Sequence, residues 1–512
     1  MSDGIYSQIV GVKGKALFVS WPVDISLEED SADAESPEDT GLVEAFDFET
    51  QKVEPWIDHV SEIGLSADAQ WLIYRSGQRL RVIKADEKHE DRGEGDKPNR
   101  RSGWIDLCRI RAMVDPISEW EQIFKEAWRL QRDHFWREDM SHIDWQEVFH
   151  RYFKLIPRLS TRGELSDILW EMQGELGTSH AYVMGGDLRQ PPSWSQGLLG
   201  AEFAFDAKKH TYRIVSFVKG DLWRKSSASP LLAPGLHLKE GDLIWEINGK
   251  ALSPEMPPEA CLLQHAGLEI NLVVSDARGK EKRAVVVKPI SSHQPGLYRD
   301  WVEGNRAYVH EKTGGKVGYV HVPDMGLSGF AEFHRGFLSE CDRDGLIVDV
   351  RFNGGGSVSP LLLEKLSRRR LGYDSTRWFD VIPYPEDSPM GPMVALTNQY
   401  AGSDGDMFSY AFKKLKLGPL IGKRTWGGVV GIWPRHALID GGVTTQPEFS
   451  IWFKDLGWSI ENYGVDPDIE VDIMPQDYAQ GKDPQLDRSI AEVLKIMQDY
   501  PVVKPEAARK KE

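Results

Sequence analysis

The period of the apolar positions changes several times along the chain, and each change marks a different kind of element. Over residues 1–86 short apolar runs alternate with turns, which predicts antiparallel strands. Ile9-Val10-Gly11-Val12 and the run from Ala16 to Trp21 predict two of them, and the stretch from Leu42 to Phe48 alternates as a third. Residues 64–76 read as a turn followed by a strand, residues 80–84 as the next strand, and residues 28–39 as an acidic loop. After Asp115-Pro116 the period lengthens to that of a helix, with Trp120, Ile123, Phe124, Ala127, Trp128 and Leu130 at helical spacing. Helical patterns continue over residues 145–155 and 162–176, so residues 115–191 predict a small helical domain. Short strands return over residues 192–292. Beyond Arg299, apolar strands at 316–322, 345–350 and 392–397 alternate with helical stretches at 330–338, 358–371 and 404–415. That alternation predicts an α/β domain with a largely parallel sheet.

Composition narrows the class. A chain of 512 residues is too long for one core, and 40% hydrophobic with 28% charged residues fits a globular protein. A formal charge of −17 argues against nucleic-acid and anionic-membrane surfaces. Cys108, Cys261 and Cys341 are scattered, without a disulfide framework or metal spacing, which suits a reducing cytosol. The first residues lack a signal-peptide pattern and no apolar run is long enough to span a bilayer. Residues 87–103 are rich in Glu, Lys, Arg, Asp and Gly and read as a charged linker, assigned to 87–114 as a whole.

The chemistry centres on Asn398-Gln399-Tyr400-Ala401-Gly402-Ser403-Asp404-Gly405-Asp406, where a buried strand turns into a helix. Glycines permit a tight turn, and unpaired N–H groups at a helix start favour a developing oxyanion. Ser403 is therefore a candidate nucleophile, although this stretch alone favours the reading that Ser403 and Asp404 cap the helix. A base must be one of 14 histidines, and His180 stands out after a glycine-flanked break with Ser179 beside it. Residues 354–356, three glycines after a buried strand, offer bare N–H groups, and Glu461 is a candidate to orient a histidine.

Taken together and in this order, these motifs match a family. Residues 239–250, with the pattern G-D-x-I-x-x-I-N-G, resemble a strand and hairpin of PDZ domains. Over about residues 40–490 the chain resembles the tricorn protease family. The match is carried by Glu171-Met172-Gln173-Gly174-Glu175 leading to Thr178-Ser179-His180, by residues 349–356, by Asn398 to Asp406, by residues 424–431 and by residues 461–468. The resemblance implies a multidomain α+β fold. It would comprise the last blade or blades of a β-propeller (1–86), the linker (87–114), a helical catalytic-core domain (115–191), a PDZ-like domain (192–292), an α/β crotonase- or Clp-like catalytic domain (293–490) and a charged tail (491–512).

It also implies roles. Ser403 would be the nucleophile, His180 the base, Ser179 and Glu461 its orienting partners, and the N–H groups of Gly356 and Asp404 the oxyanion hole. Asp374 matches the family's acidic specificity residue, contributed by a neighbouring subunit, and would favour a basic residue before the cut. The implied protein is a cytoplasmic serine peptidase acting on oligopeptides through an acyl-enzyme, without metal or cofactor, as a homo-oligomer (a hexamer in the family). The related C-terminal processing proteases use a Ser–Lys pair; Gly428 stands where their lysine is expected, and Lys423 lies on the wrong side of that turn. Two rival readings are an inactive peptide-binding scaffold and a crotonase-like acyl-CoA enzyme that would not need Ser403.

Overall fold

The computed structural model describes residues 5–21, 41–88, 97–221, 227–375, 378, 381–503 and 505. The predicted acidic loop at 28–39 lies outside the described residues. The chain divides into two compact units, Met1–Asp115 and Pro116–Glu512.

The first unit holds two antiparallel meanders. One has four strands in sequence order, Ile5–Val12, Lys15–Trp21, Leu42–Asp47 and Lys52–Ile57; the other has three, Glu62–Leu65, Trp71–Ser76 and Arg79–Lys84. A four-stranded meander is the unit of a propeller blade. Leu17, Val19, Val43, Leu72 and Tyr74 form its core. The linker expectation needs correcting here. Residues 103–105 return to the sheet edge, with Val82 N–H donating to Gly103 O and Ile105 N–H to Leu80 O, both at 2.9 Å. The cause is Trp104, whose ring packs on this core and lies under the Arg79 guanidinium at 3.8 Å.

The second unit opens with helices Pro116–His134, Trp145–Phe153 and Arg162–Gly174. All six apolar positions read from the first helix are buried, and Thr161 with Glu164 forms a capping box on the third. A path of five antiparallel strands follows, Ala201–Asp206 to Arg283–Val287, in which Leu243–Ile247 is the strand read from the PDZ-like motif.

The α/β part is built on a five-stranded parallel sheet: Val317–His321, Gly345–Asp349, Met393–Thr397, Leu420–Gly422 and Ile469–Glu470, in that order. The first three strands are buried at every position, as expected for strands covered on both faces. One face packs on helices Leu327–Glu340, Ser359–Ser367 and Asp404–Lys414, the other on Gln294–Thr313 and Pro484–Asp499. The last helix corrects the tail expectation. It runs across residue 491 to Asp499 because Leu486, Ile490 and Val493 recur at helical spacing and are buried against the sheet. Among the described residues no helix is long and apolar enough to cross a membrane.

The helical domain is tied to a loop of the α/β part by a buried ion pair. Arg162 Nε meets Asp440 Oδ2 at 2.6 Å, with the two side chains 5% and 2% exposed. Asp440 also accepts the N–H groups of Asp187 and Gly442. Gly186 is glycine of necessity, since a Cβ there would meet Arg162 Nη2 at 2.6 Å and Asp440 Oδ2 at 2.7 Å. Removing one partner strands a buried charge. Asp440→Ala should therefore lower stability by about 3–5 kcal/mol in urea unfolding, and Arg162→Ala/Asp440→Ala should cost less than the sum of the single changes.

Candidate active site

The Ser403 elbow follows from the sheet. Strand Met393–Thr397 ends at Asn398, and helix Asp404–Lys414 begins one residue after Ser403. Joining them that tightly puts Ser403 at φ 54°, ψ −119°, a conformation that a side chain adopts only when its surroundings impose it. Backbone bonds impose it here: Ala401 N–H to Asn398 O (3.0 Å), Gly402 N–H to Asn353 O (3.1 Å) and Gly405 N–H to Gly402 O (2.8 Å).

The loop after strand Gly345–Asp349 lies against this elbow. A Cβ on Gly355 would meet Ser403 Cβ at 2.6 Å and Ser403 Oγ at 3.2 Å. Gly356, at φ 146°, sits so close to the next chain that a Cβ would meet Met325 O at 2.1 Å. Asn353 pins the loop, accepting from Gly355 N–H (2.9 Å) and donating to Val322 O (2.9 Å). Asn398 Oδ1 joins both loops by accepting from Phe352 N–H (3.0 Å) and Tyr400 N–H (3.1 Å). Neither Gly356 N–H nor Asp404 N–H donates to an acceptor among the described residues. The Asp404 carboxylate instead caps helix Ser359–Ser367 by accepting Ser359 N–H at 2.8 Å, and burial raises its pKa against that bond and the Ser359 hydroxyl.

His180 comes from the helical domain. Its ring Nδ1 lies 2.8 Å from Ser179 Oγ, and its backbone is fixed to the segment after strand Val443–Thr444, since Thr445 Oγ1 donates to His180 O and Thr445 N–H to Tyr182 O. Buried Gln131 and Gln173 brace this junction, Gln131 Nε2 donating to Thr445 O at 2.8 Å and Gln173 Nε2 to Ala181 O at 3.2 Å. Burial lowers the His180 pKa below the ordinary histidine value, and the charge of Glu461 opposes it.

Glu461 is brought beside this pair but does not touch the imidazole. Its Oε1 accepts Ser179 N–H (2.7 Å) and the Thr178 hydroxyl (3.0 Å); its Oε2 accepts Val429 N–H (2.7 Å) and Val430 N–H (3.1 Å). Thr178, Asn353 and Asn398 thus hold the site together, although the sequence reading gave them no role. Their only signal was membership of the matched motifs.

The structure therefore forms two groups, Thr178–Ser179–His180–Glu461 and Gly356–Ser403–Asp404. Among the described residues no hydrogen bond joins Ser403 Oγ to the imidazole. The turn at 425–430 spans between them. Trp426 N–H donates to Ala401 O at 3.0 Å, its ring lies where a Cβ on Gly402 would go (2.6 Å), and its edge faces His180 at 5.3 Å between centroids. That ring also leaves no room at Gly428, where a Cβ would meet it at 2.3 Å. Lys423 is engaged elsewhere, with Glu470 (2.7 Å) and Asp472 (3.3 Å). Asp374 is exposed on the hairpin of Gly372–Asp374 and Ile382–Tyr384, and among the described residues it makes no bond to either group.

Comparison with known proteins agrees with this layout. Residues 116–174 match the tricorn protease C1 domain, 197–292 the tricorn protease PDZ domain and 316–471 peptidase family S41. Tricorn protease homolog 1 of Streptomyces coelicolor is 41% identical over 505 residues, covering 98% of this chain and 46% of the relative. Tricorn protease of Thermoplasma acidophilum is 39% identical over 503 residues, covering 98% and 45%. The crystal structure of the tricorn protease superposes with a TM-score of 0.87 at 37% identity, covering 96% of this chain and 46% of that one. The chain spans about half the length of the curated relatives it matches. A tricorn protease C1 segment, a tricorn protease PDZ segment and a peptidase family S41 segment thus follow one another in this chain.

Proposed function

We propose that the chain is a serine peptidase that hydrolyses oligopeptides through an acyl-enzyme on Ser403. The observation that carries this reading is the held base: an imidazole whose Nδ1 meets Ser179 Oγ at 2.8 Å, on a backbone fixed by Glu461, in the same unit as a strained serine elbow. With Nδ1–H donating to Ser179 Oγ, the Nε2 lone pair of His180 takes the Ser403 proton as Oγ attacks the scissile carbonyl. The carbonyl oxygen gains negative charge, which the unengaged N–H groups of Gly356 and Asp404 stabilise. Collapse breaks the C–N bond, and the proton on His180 leaves with the amine. A water then gives its proton to His180 and attacks the acyl carbon, and as the ester C–O bond breaks His180 returns the proton to Ser403 Oγ.

The finer parts of the reading follow the family resemblance. Asp374, exposed and unengaged, would face a neighbouring subunit's site and favour Arg or Lys before the cut, which requires a homo-oligomer. An acidic chain with three free cysteines suits a cytoplasmic peptidase.

A fluorophosphonate should add to Ser403 and a peptide chloromethyl ketone to His180, as read by mass spectrometry. Ser403→Ala should abolish the first adduct, and Ser403→Ala and His180→Ala should each lower kcat by roughly 10⁴–10⁶-fold. A folded wild-type chain that takes up neither reagent would sink the peptidase reading and favour the scaffold.

The pH profile has a definite sign. Neutral His180 is the active base, and burial favours that form. The acidic limb of kcat/KM should therefore have its midpoint below the ordinary histidine value of about 6.5. Glu461→Gln removes the charge that opposes burial, so any residual activity should show a midpoint lower still. A midpoint above about 6.5 in the wild type would contradict the assignment.

For specificity, Asp374→Ala should remove the preference for Arg or Lys over Phe in a peptide library while leaving fluorophosphonate labelling intact. An unchanged preference would take Asp374 out of the site.

A further inference from the structure

Asp406 is a wholly buried carboxylate that the chemistry above does not use. It lies on the first turn of helix Asp404–Lys414, on the turn that Ser403 starts. One oxygen accepts Gly427 N–H at 2.8 Å; the other is buried and has no hydrogen-bond partner among the described residues. Leaving a buried polar atom unpaired costs about 1–3 kcal/mol, more for a charged group. For stability alone, then, a carboxylate is a poor choice here.

What Asp406 touches suggests another reason. Gly427, at φ 87°, is wedged so that a Cβ would meet Gly464 N at 2.5 Å and Tyr463 C at 2.8 Å. Its neighbour Trp426 bonds to Ala401 O, fills the space over Gly402 and faces His180. Two and three residues further on, Val429 and Val430 donate to Glu461, which holds Ser179. Residues 425–430 are therefore one strap running from the Ser403 elbow to the support of His180. Asp406 fastens its near end and Glu461 its far end.

We propose that Asp406 is a positioning residue: its carboxylate fastens the 425–428 turn to the start of the Ser403 helix and so sets the placement of Ser403 relative to the His180 imidazole. This rests on the peptidase reading above. Burial pushes the Asp406 carboxyl up to about 6, opposed by the Thr425 hydroxyl and the N–H groups of Gly427, Ser403 and Gly428. The largest of these influences are burial and hydrogen bonds, not neighbouring charges. The carboxylate is thus charged above that pH and gains a proton below it.

The test compares wild type, Asp406→Ala and Asp406→Asn for fluorophosphonate labelling, kcat, KM and the pH dependence of kcat. Ala removes the acceptor, whereas Asn keeps one oxygen for Gly427 N–H and removes the charge. Asp406→Ala should lower kcat by about 10- to 100-fold with KM changed by less than about threefold, since misplacement affects the reacting atoms more than remote binding. Asp406→Asn should recover only part of that loss, and its acidic limb should lose the ionisation near pH 6, since the amide matches the protonated carboxyl at every pH. Wild-type kcat in Asp406→Ala overturns the inference, as does an equal loss in both variants. If Asp406→Ala does not fold, Asp406→Asn decides alone: an acidic limb identical to that of wild type overturns the inference. An inert wild type sinks the peptidase reading and this inference with it; a labelled wild type beside an unimpaired Asp406→Ala sinks this inference alone.

Discussion

The site depends on one carboxylate with four donors. Glu461 accepts two hydrogen bonds from residues 178–179 and two from residues 429–430. The two pairs reach it from segments about 250 residues apart in the chain, and Glu461 lies on a third. Bonds to a charged acceptor contribute about 1.5–3 kcal/mol each, so this is a strong local knot. It needs a carboxylate rather than an amide, because each oxygen faces two donors and an amide nitrogen would face donors with donors. Glu461 acts on His180 through the backbone of Ser179 and through its charge, and it touches the ring with neither oxygen. The arrangement separates two tasks: Ser179 Oγ sets the imidazole's hydrogen bond, and Glu461 fixes where the Ser179–His180 backbone lies.

Around that knot the chain holds conformations it would not choose freely. Phe352, Ser403 and His180 all have positive φ, at 61°, 54° and 63°, and such residues cost of order 1–3 kcal/mol each. Each is over-determined by neighbours: Phe352 by Asn398, Ser403 by the bonds of residues 401–405, His180 by Thr445. The rigidity behind them is the parallel sheet, whose first three strands are buried throughout and packed by helices on both faces. Both loops of the candidate site leave the carboxyl ends of adjacent strands of that sheet, where open α/β sheets place their sites.

How much of this was legible in the sequence varied with the physics. The strands at 345–349 and 393–397 were plain because strands buried on both faces are continuously apolar. The first helix was plain because one wide apolar face repeats at 3.6 residues. Helix Gln294–Thr313 was not read, since Tyr298, Trp301, Val302 and Val309 are interleaved with Arg299, Asp300, Glu303 and Arg306 and the apolar stripe is broken. Helix Pro484–Asp499 carries a clear stripe, but its charged exterior drew the tail boundary too early. Trp104 was lost in a charged stretch for the same reason. Ser179, His180 and Glu461 stood out weakly in the sequence and could be grouped only through motif resemblance, because a contact across 282 residues leaves no local pattern. Thr178, Asn353 and Asn398 are ordinary polar residues whose work is to accept or donate to backbone, and that becomes visible only once the partner strand is in place.

The separation along the chain of His180 and Ser403, the proposed base and nucleophile, has a consequence for stability. His180 belongs to a helical domain that reaches the site only if it docks on the α/β part, and that docking relies on the Arg162–Asp440 pair and the Gln131–Gln173–Thr445 bonds. These are polar and buried, and they are satisfied only when the two surfaces meet. A buried charge pair of this kind adds little stability over an apolar contact but is intolerant of misalignment. Such a junction favours one register over stronger but looser packing. That is what the candidate site needs, since the placement of the His180 imidazole is inherited from it through Thr445 at one end and through Glu461 and the 425–430 strap at the other.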